Sequence, residues 1–183
     1  SKTDYEADKF SWDLRARHGF GHRFLSTSEL RALEPTLGGP ITCGVLLEGW
    51  LQFSDPGLVR KRLAEFFLAQ GGTLRTGSAT AITTERDRAV GVRLASGETV
   101  PVKNLVLAAG AWSGKLARDL GLRIPVAALQ GYHHHLPEPE VSVNRPVLYA
   151  NGGFVLTPME SGLRIGGTIE VAGLDPKPNF ARA

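Results

Sequence analysis

The chain has 183 residues, a hydrophobic fraction of 42% and a formal net charge of +3. That length supports one substantial domain or parts of two, and the apolar content is that of a packed protein rather than a disordered one. The basic residues are scattered, with Arg60, Lys61 and Arg62 as the one tight triplet, so no stripe of the kind that binds nucleic acid stands out. A single cysteine, Cys43, excludes an internal disulfide and fits a reducing, cytoplasmic setting. No apolar run is long enough to span a bilayer, and the opening residues carry no signal-peptide core.

In chain order, residues 1–46 read as short helices and loops. Ser26 to Leu30 has the hydroxyls and the glutamate of a helix start. Pro35, Gly38, Gly39 and Pro40 end any regular element after Glu34. Val45–Leu47 and Trp50–Phe53 are expected to be extended. A helix is predicted from Pro56, capped by Ser54 or Asp55 and stopped by Gly71-Gly72. Val59, Leu63, Phe66 and Phe67 form its apolar face. Extended segments are predicted over 73–76, 78–84, 89–94, 98–102 and 104–108, with turns at Arg86-Asp87 and Ser96-Gly97.

Leu105 to Ala109 is a continuous apolar run, expected of a strand buried on both faces. It meets Gly110, and a short helix follows on Trp112, Leu116 and Leu120, stopped by Gly121. Beyond Pro125 the chain is β-rich. Val147–Ala150, Phe154–Met159 and Leu163–Val171, parted by Asn151-Gly152-Gly153 and Glu160-Ser161-Gly162, predict an antiparallel meander.

Two motifs are set aside. Gly19-Phe20-Gly21 begins like a dinucleotide fingerprint but has Phe24 in place of the third glycine, and no buried strand precedes it. His133-His134-His135 puts two imidazoles on one strand face, yet no further residue stands at ligand spacing, so no metal is predicted. The turn Ala108-Ala109-Gly110-Ala111-Trp112-Ser113 carries more: a glycine after a strand lets backbone approach a ligand closely. On these residues alone, a ligand edge and a plain corner with Trp112 in the core are equal readings.

The block from Asp55-Pro56 to Gly72, the Ser78 to Ile82 segment and Asn104 to Gly114 together resemble the middle of the D-amino-acid oxidase-like flavoprotein family. That family includes glycine oxidase, sarcosine oxidase and bacterial D-amino-acid dehydrogenases. Pro125-Val126, Gln130-Gly131-Tyr132 and Gly166 to Glu170 are similar to the dehydrogenase branch in particular. The resemblance covers roughly residues 30–180 and rests on the order and spacing of the motifs. It implies a mixed α+β fold: 1–55 from a substrate-side domain, 56–127 the middle segment of an FAD-binding domain, and 128–183 the substrate domain again.

The resemblance further implies FAD as cofactor and a small amino or imino acid as substrate, oxidised at its C–N bond by hydride transfer, with hydrolysis of the resulting imine. Ala79 matches a position that meets the adenine end of FAD, where valine is common in relatives. Ala109, Gly110 and Trp112 match a turn against the cofactor, and Tyr149, Phe154 and Ile169 match positions facing the substrate. Phe154 departs from the tyrosine of glycine oxidase, which points to a more apolar pocket and a neutral substrate. No catalytic acid or base is assigned. The arginine that holds the substrate carboxylate in relatives has no match; Arg164 and Arg182 lack its context. The electron acceptor is left open, as are a homo-oligomer and a peripheral place on the inner face of a bacterial membrane.

Because no segment supplies the phosphate-binding glycines, the chain by itself is expected to hold FAD weakly and to be inactive. Two other readings stand beside this one. The first is a catalytically silent binding module; the second is a flavoprotein dehydrogenase of glycerol-3-phosphate or a 2-hydroxyacid, which shared fold cannot separate from an amine oxidase.

Overall fold

The computed structural model describes residues 1–175 and 177–182. Mixed helices and antiparallel sheets make up the chain, in agreement with the α+β expectation. It divides into two compact units: one holds Ser1–Arg60 and His133–Thr168, the other Lys61–Tyr132 and Ile169–Arg182. Pro176 and Ala183, within the predicted 128–183 stretch, lie outside the described residues.

The first unit opens with helices α1 (Lys2–Ala7) and α2 (Lys9–Arg17). Gly19, at φ +81°, closes α2 by letting Phe20 and Gly19 donate back to the Arg15 and Ala16 carbonyls. The aborted glycine fingerprint is therefore a helix stop. It leads into strand β1 (His22–Ser26), which pairs antiparallel with β2 (Cys43–Leu47) from His22 opposite Leu47 to Ser26 opposite Cys43. Between them, α3 (Thr27–Leu33) starts on a capping box: the Ser26 hydroxyl accepts from the Glu29 N–H while the Glu29 carboxylate accepts from the Ser26 N–H. Residues 50–53, expected to be extended, form no strand ladder among the described residues and stand exposed, with the Gln52 amide donating to the Pro158 carbonyl.

The buried apolar residues of this unit are Leu25, Val143 and Leu163, and beside them in burial stands a carboxylate, Glu34, 1% exposed. Glu34 accepts from the Arg145 Nε at 2.7 Å and from the Asn144 backbone N–H at 2.7 Å. Burying a charge is costly unless it is paired and hydrogen-bonded, and here both conditions are met. The contact ties the end of α3 to a loop 110 residues further along the chain.

Helix α4 (Pro56–Ala69) runs from the first unit into the second. Its start and stop are those predicted. The Asp55 carboxylate accepts from the Leu58 N–H at 2.9 Å. Gly71 at φ +85° lets Gly72 and Gly71 donate to the Phe67 and Leu68 carbonyls. The predicted apolar face is largely uncovered: Val59 is half-buried, while Leu63, Phe66 and Phe67 are all exposed.

In the second unit, β3 (Ala79–Glu85), β4 (Arg88–Leu94) and β5 (Thr99–Pro101) form an antiparallel sheet in that order. The turn joining β3 and β4 holds Arg86 and Asp87 at φ +48° and +62°. Helix α5 (Ser113–Arg118) follows a short 3-10 turn over Gly110–Trp112. Ile82, Leu116, Ala117 and Tyr132 are the buried apolar residues of this unit. The Tyr132 hydroxyl donates to Glu170 at 2.9 Å and accepts from the Asn179 N–H at 3.0 Å.

Two expectations fail here. Residues 73–76 are not a strand, and neither is 104–108. Val106, which should have been buried on both sides, is 86% exposed. A strand exists only through its ladder, and no described segment pairs with this run. Its apolar character reports burial that the described residues do not supply.

The β-rich remainder is β6 (Leu129–Leu136), β7 (Val147–Tyr149), β8 (Phe154–Met159) and β9 (Gly162–Val171), in sheet order β6-β9-β8-β7. The predicted meander is present, with Tyr149 opposite Phe154 and Met159 opposite Gly162. The three histidines lie on β6, and no cluster of metal ligands exists among the described residues. No helix among them is long and apolar enough to cross a membrane.

Candidate functional site

The turn after Leu105–Ala109 is built by one hydroxyl and one glycine. The buried Ser113 side chain does not cap its own helix; its Oγ accepts from the Ala109 N–H at 3.1 Å and holds the end of the apolar run across the corner. Gly110 takes φ +55°, where an L side chain would be strained, and a Cβ built on it would meet nothing within 4 Å. Trp112 is 57% exposed, so it does not pack as a core residue at this corner. The result is an open backbone edge with an aromatic plane beside it.

Ala79, the residue matched to the adenine end, is exposed at the start of β3 opposite Leu94, next to a register shift before Ala81. Ile169 is exposed on β9. These two share a unit with Ala109, Gly110 and Trp112, whereas Tyr149 and Phe154 belong to the other.

Tyr149 and Phe154 are brought together by the β7–β8 hairpin. They are directly opposite in register, and their rings lie 5.3 Å apart at a 53° tilt. Such cross-strand aromatic pairs stabilise a hairpin. Gly152 is required beneath them, because a Cβ there would come within 2.5 Å of the Tyr149 Cδ1 and 2.6 Å of the Phe154 Cε1. The pair presents one phenolic hydroxyl and an otherwise apolar surface. Neither ring is fully buried.

The Gly110 turn suits a flat group laid against backbone, since both the missing side chain and the empty space beyond it leave room. Nothing comparable serves a pyrophosphate: among the described residues no glycine-rich loop leads from a strand into a helix N-terminus. The residues present therefore fit one edge of a dinucleotide cofactor rather than a complete binding site.

Sequence reasoning did not find Ser113 as the residue that fastens the turn. Nor did it find Glu34, whose partners are 110 and 111 residues away.

Comparison with known proteins places the chain as a whole. The family model described as FAD dependent oxidoreductase (DAO) matches residues 2–183. The D-amino-acid oxidase of Bradyrhizobium diazoefficiens is 32% identical over the whole of this chain and 43% of its own length. The glycine oxidase of Pseudomonas putida is 30% identical over 96% of this chain and 47% of its own. Among solved structures, the glycine oxidase from Geobacillus kaustophilus superposes with a TM-score of 0.74 at 20% identity, over 100% of this chain and 49% of that one. The chain thus spans about half the length of the relatives it matches.

Proposed function

The chain belongs to the DAO family of FAD-dependent oxidoreductases, and we propose that it forms the middle part of an enzyme that oxidises the C–N bond of a small, neutral D-amino or imino acid. The observation that carries the reading is the shared substrate class of the relatives: both curated relatives named above act on amino acids by their names. Residues 56–127 are assigned to the FAD-binding domain, and 1–55 and 128–183 to the substrate domain. Divisions of the chain at Arg60 and Tyr132 support the two inner boundaries. A third division falls inside β9, between Thr168 and Ile169, and groups 169–182 with the other unit; the unbroken run of β9 from Gly162 to Val171 is the ground for keeping that stretch with the substrate domain. A cytoplasmic location is part of the same proposal.

In this reading Ala109, Gly110 and Trp112 line the cofactor and Ala79 meets its adenine end. Bound FAD supplies the acceptor for the hydride that leaves the substrate α-carbon. The protein's own work is positioning. Ser113 keeps the Ala109–Gly110 backbone edge in place through its hydrogen bond to Ala109. Tyr149 offers a hydroxyl to orient the substrate, while Phe154, Ile169 and the Tyr149 ring exclude water. No protein acid or base is needed if the amine binds neutral. A pocket with one phenolic donor has nothing to pair a charged side chain, and burying such a charge unpaired is costly.

The test uses the protein in which this chain is joined to the rest of the length its relatives have. Neutral substrates such as D-alanine and D-proline should be favoured over D-aspartate and D-lysine. Phe154→Tyr should change the relative kcat/KM among them by about 1–3 kcal/mol, the range for one hydrogen bond made or lost in a buried site. A wild type that prefers charged D-amino acids, or a Phe154→Tyr variant with an unchanged profile, overturns the assignment.

A further inference from the structure

Within the unit formed by residues 61–132 and 169–182, the end of α5, the loop after it and the stretch beyond β9 surround a depression of about 630 Å³. Its apolar part includes Leu122, Ile124 and Val126; its charged part is Lys115, Arg118 and Arg123. No carboxylate is among its described lining residues. Of the three cations, none forms an ion pair or a side-chain hydrogen bond among the described residues.

The convergence has a backbone cause. Gly121 at φ +70° stops α5, and the Gly121 and Leu122 N–H groups donate back to the Arg118 and Ala117 carbonyls. The chain is thereby turned back at the end of the helix, and Arg123 joins Lys115 and Arg118 around one depression instead of continuing away from them. Lys115 and Arg118 sit in the last turn of α5, where cations are favoured by the helix dipole. Arg123 lies beyond the helix, so that account does not cover it. Three like charges beside one concave apolar surface repel one another until an anion is present.

We propose that this depression binds an amphipathic organic anion: a phosphate or carboxylate head held by Lys115, Arg118 and Arg123, with an acyl or aryl body on Leu122, Ile124 and Val126. The volume is within the range of small-molecule sites, and an apolar lining with a few converging charged groups is their usual make-up. Guanidinium groups suit both heads because they donate in a planar fork. The site does not depend on the substrate assignment made above.

The experiment is isothermal titration of the 183-residue chain at low ionic strength with decyl phosphate below its micelle concentration. Decyltrimethylammonium and inorganic phosphate serve as controls. Decyl phosphate should bind measurably, inorganic phosphate far more weakly, and the cationic amphiphile not at all. Arg123→Gln, placed on the loop and clear of the helix, should weaken binding roughly tenfold, the scale of one charge-assisted hydrogen bond. Arg118→Gln should add to it, with circular dichroism unchanged in both. Equal binding of the cationic amphiphile, or undiminished binding by both variants, overturns the proposal. So does displacement of decyl phosphate by FAD, which would make the depression part of the cofactor edge. Binding to phosphatidylglycerol vesicles without binding to the free amphiphile overturns it as well, in favour of a membrane surface.

Discussion

At the corner where α3 meets Asn144 and Arg145, a carboxylate is taken almost wholly out of water, and each of its oxygens finds a donor from a distant part of the chain. On α4 the situation is reversed: an apolar face with good helical spacing and well-formed ends has little cover, and the apolar run 105–108 is likewise unpaired. The first region closes on residues the chain itself provides. The second has every local instruction for its elements and lacks only what they would bury against. Most helical stability comes from packing an apolar face rather than from propensity, so α4 relies chiefly on its caps, its backbone hydrogen bonds and the Arg62–Glu65 pair. A chain that spans about half the length of its relatives is where such a contrast is expected, and the proposed place of 56–127 inside an FAD-binding domain accounts for it.

The largest effect should come from breaking the closed region. Glu34→Leu removes the acceptor of the Asn144 N–H and leaves the Arg145 guanidinium without its partner. Arg145 is partly exposed and can recover water, so the cost should fall somewhat below that of a fully buried pair, at about 2–4 kcal/mol. Urea unfolding read out on the first unit measures it. Glu34→Gln keeps an acceptor for Asn144 and should lose distinctly less. If both variants unfold at the wild-type midpoint, the corner is not what holds α3 in place.

A smaller effect sharpens the same contrast at the other end of α3. The Glu29 carboxyl is held below its ordinary value of 4.5, first by the Ser26 backbone N–H, then by the Ser26 hydroxyl, with the Arg23 charge adding to both. A carboxyl whose folded value is depressed contributes stability that is complete above the unfolded value and disappears as pH falls through the lowered one. Wild type should therefore exceed Glu29→Gln in stability at pH 6, and the gap should close as the solution is taken well below pH 4.5. Paired urea titrations at the two ends of that range check the sign. A gap that widens in acid contradicts the capping box as its source. The carboxylate is solvent-exposed, so the change should be modest beside that at Glu34.

What could be read from the sequence follows the same division. Helix α4 was legible from Asp55, Pro56 and Gly71, α3 from Ser26 and Glu29, and the β7–β9 meander from its glycine turns, because each signal lies within a few residues of the element it sets. Strand β1 was not, since His22–Ser26 alternates only weakly and takes its ladder from residues 43–47. The misreading of 104–108 has the opposite origin: its composition does call for a buried strand, but burial requires partners that composition cannot supply. In the candidate site, the Gly110 turn was legible as a strand-to-helix glycine. The Tyr149–Phe154 pair follows once the hairpin register is known. The basic depression was invisible because Arg123 is brought to it by the reversal at Gly121, which sequence spacing along α5 does not suggest.

The smallest expected effect is the most discriminating. Phe66 is 64% exposed on the uncovered face of α4. Replacing an exposed side chain away from caps and partners changes stability by no more than about 0.5 kcal/mol, so Phe66→Gln should leave the urea midpoint of the 183-residue chain essentially where it was. Any benefit should show as solubility, because an exposed apolar face invites association. In the protein extended to the length of its relatives the same substitution should be severe, on the order of 2–4 kcal/mol, as for an aromatic side chain taken from a packed interior and replaced by an amide with no partner. The two measurements together separate a helix face that is meant for water from one that is meant for cover. A large loss already present in the 183-residue chain, dependent on protein concentration, would mean that copies of the chain cover one another through α4. Negligible loss in both would mean that the face is solvated in every context, and the assignment of 56–127 to a packed FAD-binding domain would fall with it.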